Sequence, residues 1–339
     1  MEKMVLGKTG LTVSRTGLGC IPIQRIPYES STEILKHAYR SGITFYDTAN
    51  AYTTSEDRIG TALGDVRQHI VIATKSAPLE KNAIMKNIEN SLSKLRTDYI
   101  DIFQVHNPAF LPVPGGDDGI YDTLLEAKKA GKIRHIGISN HRLKVAKEAA
   151  GSGLYDTVQF PLSLLSNDDD LSLIDVCKKH NVGLIAMKGM AGGILSQAKA
   201  AFAFLRQYEN VVPIWGIQEM EELREFLSYE EHPPVLDSGL WASIEDDRKR
   251  LGGAFCRGCN YCAPCPAGIS ISSAARITYL IQRSVPEQFF TPAWREKMDQ
   301  VSGCINCGQC KTRCPYFLDP PALLKTQLAE YNRLYNQYK

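Results

Sequence analysis

Eight short apolar runs, each followed by a segment of helical period, fill roughly the first 230 residues, and this alternation is the strongest constraint on the fold. The runs are Leu18-Gly19-Cys20, Phe45 to Asp47, Ile70 to Thr74, Ile100 to Val105, His135 to Ser139, Thr157 to Phe160, Gly183 to Met187 and Val211 to Trp215. Helical spacing recurs between them, at Thr32 to Arg40, Asn82 to Leu95, Asp122 to Ala130, Leu143 to Ala149, Leu171 to His180 and Gln197 to Tyr208. Strand-helix alternation makes a parallel sheet. Eight units in this length fit a closed (β/α)8 TIM barrel better than an open doubly wound sheet. A hairpin precedes them, Val5-Leu6 and Leu11-Thr12-Val13 around Gly7-Lys8-Thr9-Gly10.

In such a barrel the loops at the C-terminal ends of the strands carry the chemistry. The run Phe45-Tyr46-Asp47-Thr48-Ala49-Asn50-Ala51-Tyr52 leads from a strand into the helix start Ser55-Glu56-Asp57 and so places a carboxylate and a phenol on that rim. A phenol titrates near 10, about three units too high for acid chemistry at neutral pH, unless a cation stands beside it and a carboxylate holds the cation. Lys75 ends the third run and His106 the fourth, both on the same rim. Taken singly, each of these residues reads as an ordinary packing or surface group. Four such groups at the ends of three consecutive strands read as a site.

With these motifs in order, the chain resembles the aldo-keto reductase superfamily over about residues 4 to 228. The resemblance rests on Leu6-Gly7-Lys8-Thr9-Gly10-Leu11-Thr12-Val13-Ser14, Asp47 to Tyr52, Ala73-Thr74-Lys75, Asp98-Tyr99-Ile100-Asp101 leading to His106, Gly137-Ile138-Ser139-Asn140, and Val158-Gln159-Phe160. It implies a catalytic tetrad of Asp47, Tyr52, Lys75 and His106, with Ser139, Asn140 and Gln159 holding a nicotinamide carboxamide. Tyr52 would give its proton to a carbonyl oxygen, Lys75 would stabilise the tyrosinate, Asp47 would pair Lys75, and His106 would donate a hydrogen bond to the carbonyl.

No glycine-rich dinucleotide fingerprint follows a strand, but barrels bind phosphate at the loops after strands seven and eight. The matching segments are Met187-Lys188-Gly189 onward and Gly216-Ile217-Gln218-Glu219-Met220-Glu221-Glu222, which puts Met187, Lys188, Gly216, Gln218 and Glu222 at the nucleotide. Three residues depart from the family pattern: Met187 stands where an aromatic ring often stacks on the nicotinamide, Glu222 where a basic residue meets the 2′-phosphate, and Phe226 where Asn is common near the adenine. A carboxylate suits a ribose hydroxyl and repels a phosphate, so among NAD(P)(H) the expectation is NADH. Lys188 and Arg224 are the residues able to reverse it.

Ten cysteines occur, eight of them between Cys256 and Cys314, where barrel periodicity has ended. The run Cys304-Ile305-Asn306-Cys307-Gly308-Gln309-Cys310-Lys311-Thr312-Arg313-Cys314-Pro315 has the bacterial ferredoxin spacing, in which the fourth cysteine serves the other cluster. The run Cys256-Arg257-Gly258-Cys259-Asn260-Tyr261-Cys262-Ala263-Pro264-Cys265-Pro266 is one residue shorter before its last cysteine. The spacing assigns one 4Fe-4S cluster to Cys256, Cys259, Cys262 and Cys314, and a second to Cys304, Cys307, Cys310 and Cys265. Paired zinc sites are the competing reading, but zinc ribbons use separated Cys-x-x-Cys pairs. Between the runs, Ser270 or Ser272 caps a helical stripe of Ala274, Ile277, Leu280 and Ile281. Barrel and module together resemble the iron-sulfur aldo-keto reductases with a C-terminal ferredoxin-type domain, and Ile21-Pro22-Ile23-Gln24-Arg25 also resembles that subgroup. Cys20 and Cys177 read as buried apolar residues.

The expected organisation is a barrel over 1–228, a joining segment over 229–251, a small, mainly helical ferredoxin-like iron-sulfur domain over 252–318, and a C-terminal helix over 319–339 with Leu324, Leu328, Tyr331 and Tyr335 on one stripe. A formal net charge of +2 announces no nucleic-acid partner. No run of signal-peptide or membrane-spanning length occurs, and ten cysteines without a secretion signal point to metal rather than disulfides, so a cytoplasmic protein is expected. The reading is an NAD(P)H-dependent oxidoreductase reducing an aldehyde or ketone, or oxidising the matching alcohol, with clusters of structural, sensing or electron-relay role. Its rival is an electron-transfer protein whose barrel binds nucleotide without carbonyl turnover. A redox-partner protein and a homodimer stay open as partners.

Overall fold

The computed structural model describes residues 1–77, 81–251, 255–282 and 286–338, and their contacts divide into two units. The first comprises Met1–Gly189 and Ala198–Asp237, the second Met190–Gln197 and Ser238–Lys339. The expected boundary at residue 252 lies outside the described residues.

The first unit opens with an antiparallel hairpin, β1 (Lys3–Val5) and β2 (Thr12–Ser14), in the register Met4 to Val13. Eight parallel strands then close into a barrel: β3 (Gly17–Gly19), β4 (Phe45–Asp47), β5 (Val71–Ser76), β6 (Ile100–His106), β7 (Ile133–Ser139), β8 (Thr157–Pro161), β9 (Gly183–Met187) and β10 (Val211–Gly216), with β10 pairing back onto β3. Between them run the amphipathic helices α1 (Tyr28–Arg40), α2 (Ser55–Leu63), α3 (Lys81–Leu95), α4 (Ile120–Lys129), α5 (Leu143–Gly151), α6 (Asp168–Lys179) and α7 (Ala198–Arg206), with α8 (Met220–Glu231) after the last strand. The cap of α6 shows local sequence at work: Asn167 accepts from the Asp170 amide at 2.8 Å, a contact worth about 1 kcal/mol.

Strands alternate their side chains between faces with a period of two, and the barrel interior follows that rule. Phe45, Ala73, Ile102, Ile185, Val212 and Ile214 form one buried cluster there, which Leu6 and Val13 of the hairpin region join. The hairpin reaches the strand starts because Gly7, at φ +53°, lies against Gly183; a Cβ at Gly7 would stand 2.3 Å from the Gly183 nitrogen. Two residues beyond Phe45, Ala73 and Ile102 come Asp47, Lys75 and Gln104. The face that is apolar at one end of the barrel is therefore polar at the C-terminal end. Both β5 and β6 run slightly longer than the sequence suggests, so Lys75 and His106 are strand residues with strand rigidity rather than loop residues.

The second unit contains α9 (Ser238–Leu251), α10 (Ile271–Ala274), α11 (Ile277–Gln282), α12 (Pro292–Asp299), α13 (Gln309–Arg313) and α14 (Pro320–Tyr338). Ile271, Ala274, Ile277, Met298, Leu324 and Tyr331 belong to its buried core. Two side chains of α14 tie it down: Tyr331 donates to the Phe289 carbonyl at 2.8 Å, and Gln327 accepts from the Thr278 amide and hydroxyl. The stripe expected as one helix is broken into α10 and α11 by a tight turn, in which the Arg276 amide bonds to Ser273 at 3.2 Å and its guanidinium to the Gly192 carbonyl. No described helix is long and apolar enough to cross a membrane.

Candidate functional site

At the C-terminal ends of β4, β5 and β6 the structure brings four titratable groups together. Lys75 Nζ donates to Asp47 Oδ1 at 2.6 Å and to the Thr48 carbonyl at 2.7 Å, with both side chains buried. The half-buried Tyr52 sits on the turn that follows β4, its amide on the Ala49 carbonyl, and its ring centroid lies 5.5 Å from Lys75 Nζ. The His106 ring stands edge-on to Tyr52 at 6.2 Å between centroids. A buried ion pair of this kind is weak evidence for stability, since desolvation offsets its attraction; what it supplies is a fixed cation beside a phenol.

His106 is a neutral imidazole here. Burial first, then the charges of Lys75 and Lys188, lower its pKa to about 3. A neutral ring offers one N–H donor, which suits a carbonyl oxygen. In the unfolded chain the same histidine takes a proton near pH 6.5, so the folded state loses stability as pH falls through that value toward 3. His106→Gln is expected to shrink the drop in urea midpoint between about pH 6.5 and pH 4.5. An unchanged drop in the variant would contradict the neutral histidine.

Asp47 receives more than Lys75. Gln159 Nε2 donates to Oδ1 and Gln104 Nε2 to Oδ2, each at 3.2 Å. Gln104 is not legible as a site residue from motif matching, although a signal is present: it lies two residues before His106, so alternation turns this polar side chain to the same face as Ile102 and His106, toward the barrel interior.

The residues expected to hold the carboxamide split into two kinds. Ser139 and Gln159 are register partners on β7 and β8, and Ser139 Oγ and Gln159 Oε1 are buried with no hydrogen-bond partner among the described residues. A hydroxyl and an amide oxygen left bare side by side complement the C=O and NH2 of a carboxamide, so these residues fit the group. The Asn140 amide is partly engaged: it donates to the Pro108 carbonyl at 2.8 Å and accepts from the Arg142 amide at 2.8 Å, which leaves its second N–H for a ligand.

Met187 ends β9 buried in the barrel interior, and Lys188 follows in the left-handed region at φ +60°, half-buried. Gly216 ends β10 at the surface. Glu222 is not directed outward: its carboxylate accepts from the Gln218 amide at 2.8 Å and the Glu219 amide at 3.1 Å, half of a capping box with Glu219 at the start of α8. Arg224 pairs with Glu221 at 3.4 Å. Phe226 is buried, stacked on Trp215 at 4.5 Å.

In the second unit the eight clustered cysteines line two cavities. Cys256, Cys259, Cys262 and Cys314 line one, while Cys265, Cys304, Cys307 and Cys310 line the other, where Cys262 also reaches the wall. Among the described residues no three His, Cys, Asp or Glu side chains converge as they would on a single metal ion. Burial, then the neighbouring Cys256 and Cys259, push the Cys262 thiol up to about 12, an environment that favours thiolate only with a cation among the sulfurs. Cys20 and Cys177 are buried in the first unit, and burial raises both thiols.

Comparison with known proteins bears on both units. Residues 3–203 match the family model described as aldo/keto reductase family, and residues 255–319 match one described as a 4Fe-4S dicluster domain. Aldo-keto reductase YhdN of Bacillus subtilis is 31% identical over 216 residues, which span 58% of this chain and 64% of YhdN, short of two thirds of that relative. Among solved structures, the thermostable aldo-keto reductase Tm1743 superposes with a TM-score of 0.61 at 27% identity, covering 73% of this chain and 99% of Tm1743. An aldo-keto reductase from Klebsiella pneumoniae, solved in complex with NADPH, gives a TM-score of 0.63 over 74% of this chain and 95% of its own; at 22% identity that likeness concerns the fold alone.

Proposed function

We propose a function from the premise that this chain belongs to the aldo/keto reductase family: it reduces the carbonyl of a small aldehyde or ketone, or oxidises the matching alcohol, with a nicotinamide nucleotide. The chain is an oxidoreductase that carries a 4Fe-4S dicluster domain C-terminal to its barrel in sequence. One observation carries the carbonyl reading: the Asp47-held ammonium of Lys75 lies 5.5 Å from the Tyr52 ring centroid, and the His106 ring stands edge-on to the same ring.

The dihydronicotinamide, when bound, supplies hydride to the carbonyl carbon. Tyr52 donates its phenolic proton to the carbonyl oxygen, and Lys75 stabilises the tyrosinate that remains. Asp47 keeps Lys75 in place. His106 donates from its neutral ring to the same oxygen, where negative charge develops. Ser139 and Gln159 hold the carboxamide, with Met187, Lys188, Gly216 and Gln218 along the nucleotide.

Cys256, Cys259, Cys262 and Cys314 would hold one cluster and Cys265, Cys304, Cys307 and Cys310 the other, supported by the division of the sulfurs between two cavities. A cluster exchanges one electron at a time and hydride transfer moves two, so the carbonyl step is assigned to the barrel residues. Eight thiols in ligand spacing favour a reducing compartment, and the proposal places the protein in the cytoplasm.

NADH is favoured over NADPH. Glu219, Glu221 and Glu222 crowd the first turn of α8, and Glu222 already occupies the amides a phosphate would use. The test is nucleotide oxidation under anaerobic conditions with a panel of aldehydes and ketones. Carbonyl-dependent oxidation with kcat/KM at least about tenfold higher for NADH is expected, roughly 1.4 kcal/mol of discrimination. A preference for NADPH overturns the nucleotide assignment, and nucleotide oxidation that needs no carbonyl but bleaches the clusters overturns the reductase reading in favour of electron transfer.

A further inference from the structure

Asp47 has two carboxylate oxygens, and the structure fills them unequally. Lys75 and Gln159 share Oδ1, whereas Gln104 alone among the hydrogen bonds described takes Oδ2. We infer that Gln104 is a positioning residue for the acid step: it fixes the rotation of the Asp47 carboxylate and moderates the pull of that carboxylate on Lys75. The inference rests on the acid role proposed for Tyr52.

The placement of Gln104 is built in. It stands opposite Lys75 in the β5–β6 register and opposite Gly137 in the β6–β7 register, fully buried. Gly137 is what makes room for it: a Cβ there would lie 2.9 Å from Gln104 Cγ and 2.3 Å from Thr157 Oγ1. Its amide oxygen has no partner among the described residues, so the Nε2 contact to Asp47 is the polar bond that orients this buried side chain. Burying an amide with one end unsatisfied is unfavourable, and a purely structural position in a strand between Phe103 and Val105 would be filled better by an apolar residue.

The chemical consequence follows from charge. The two amide donors, one on each oxygen, stabilise the negative charge of Asp47 without a second cation, which leaves more of the Lys75 positive charge directed at Tyr52. Without Gln104 the carboxylate turns more freely about its last torsion and holds the ammonium more tightly to itself. Tyrosinate then forms less readily. Alcohol oxidation, which needs tyrosinate as the base, reaches half its plateau at higher pH, and carbonyl reduction slows because the phenol is a poorer donor.

The test uses Gln104→Leu and Gln104→Met, which remove the donor at similar volume, beside Tyr52→Phe, all with the cysteine module loaded. The expected result is a rise of about one unit in the half-plateau pH of oxidation, a fall of about tenfold in the rate of reduction at neutral pH, and nucleotide affinity within twofold of the parent, since Gln104 lies off the Ser139–Gln159 pair. A slower enzyme with an unmoved pH profile, an unchanged enzyme, or a matching loss of nucleotide affinity would each overturn the inference. If Tyr52→Phe retains full turnover, the failure lies with the tyrosine acid itself.

Discussion

Tyr52→Phe is expected to lower carbonyl turnover by about 10²- to 10⁴-fold while nucleotide binding persists, because the substitution removes one oxygen and its proton and leaves the ring. The ring keeps its edge contact with His106 and its place beside Lys75, so the loss reports the proton and not a cavity. Removing Asp47 instead would mix two effects. It strands a buried ammonium, which costs about 3 to 5 kcal/mol in stability, and it disturbs Gln104 and Gln159 as well. Steady-state kinetics together with nucleotide titration of the phenylalanine variant separates the terms: kcat falls and nucleotide affinity stays. Unchanged turnover would remove Tyr52 from the mechanism.

Iron and acid-labile sulfide are each expected at about eight per chain in protein purified without oxygen, and Cys262→Ser at about half that or less. Cys262 is the informative position because it is buried and lines both cavities. Removing the iron by anaerobic chelation leaves protonated thiols in that space and withdraws the tie between the two cysteine runs, whose connecting helices α10, α11 and α12 are only 4, 6 and 8 residues long. Limited proteolysis is then expected to cut within 255–319 while the barrel residues resist. Zinc without sulfide would reject the clusters, and an unchanged cleavage pattern after iron removal would reject their part in holding the module together.

The sequence made the barrel legible because its strands are short, apolar and evenly separated, and because Asp47, Lys75 and His106 each stand at the end of one. Boundaries were less legible. Lys75 and His106 belong to the strands since hydrogen bonding to the neighbouring strand continues past the last apolar residue, as in the Ser76 to Val105 and His106 to Ser139 pairings. The Ala274 to Ile281 stripe has helical period, yet the ladder breaks at Arg276, whose amide bonds to the Ser273 carbonyl in a tight turn while its guanidinium holds the Ser272 and Gly192 carbonyls. Period alone cannot report such a bond. Glu222 was visible as a charge near a nucleotide loop, but its use as a cap depends on the backbone amides of Gln218 and Glu219, which no composition reveals. The motif at Asn140 does not show that its amide also ties the loop at Pro108 to the start of α5. Gln104 was the reverse case: alternation already pointed it inward, and only its partner was missing.

Hydride chemistry on a carbonyl is expected at the Asp47–Lys75–Tyr52–His106 site. Its most direct test is isotopic: the protein, with its clusters intact and without oxygen, is given NADH deuterated at the transferring C4 position and an accepted aldehyde, and the alcohol is analysed by mass and NMR. One deuterium on the carbinol carbon per NADH consumed, formed at a rate that falls with turnover in Tyr52→Phe, is the predicted result. NADH consumption that reduces the clusters and leaves no deuterium in the product would contradict it.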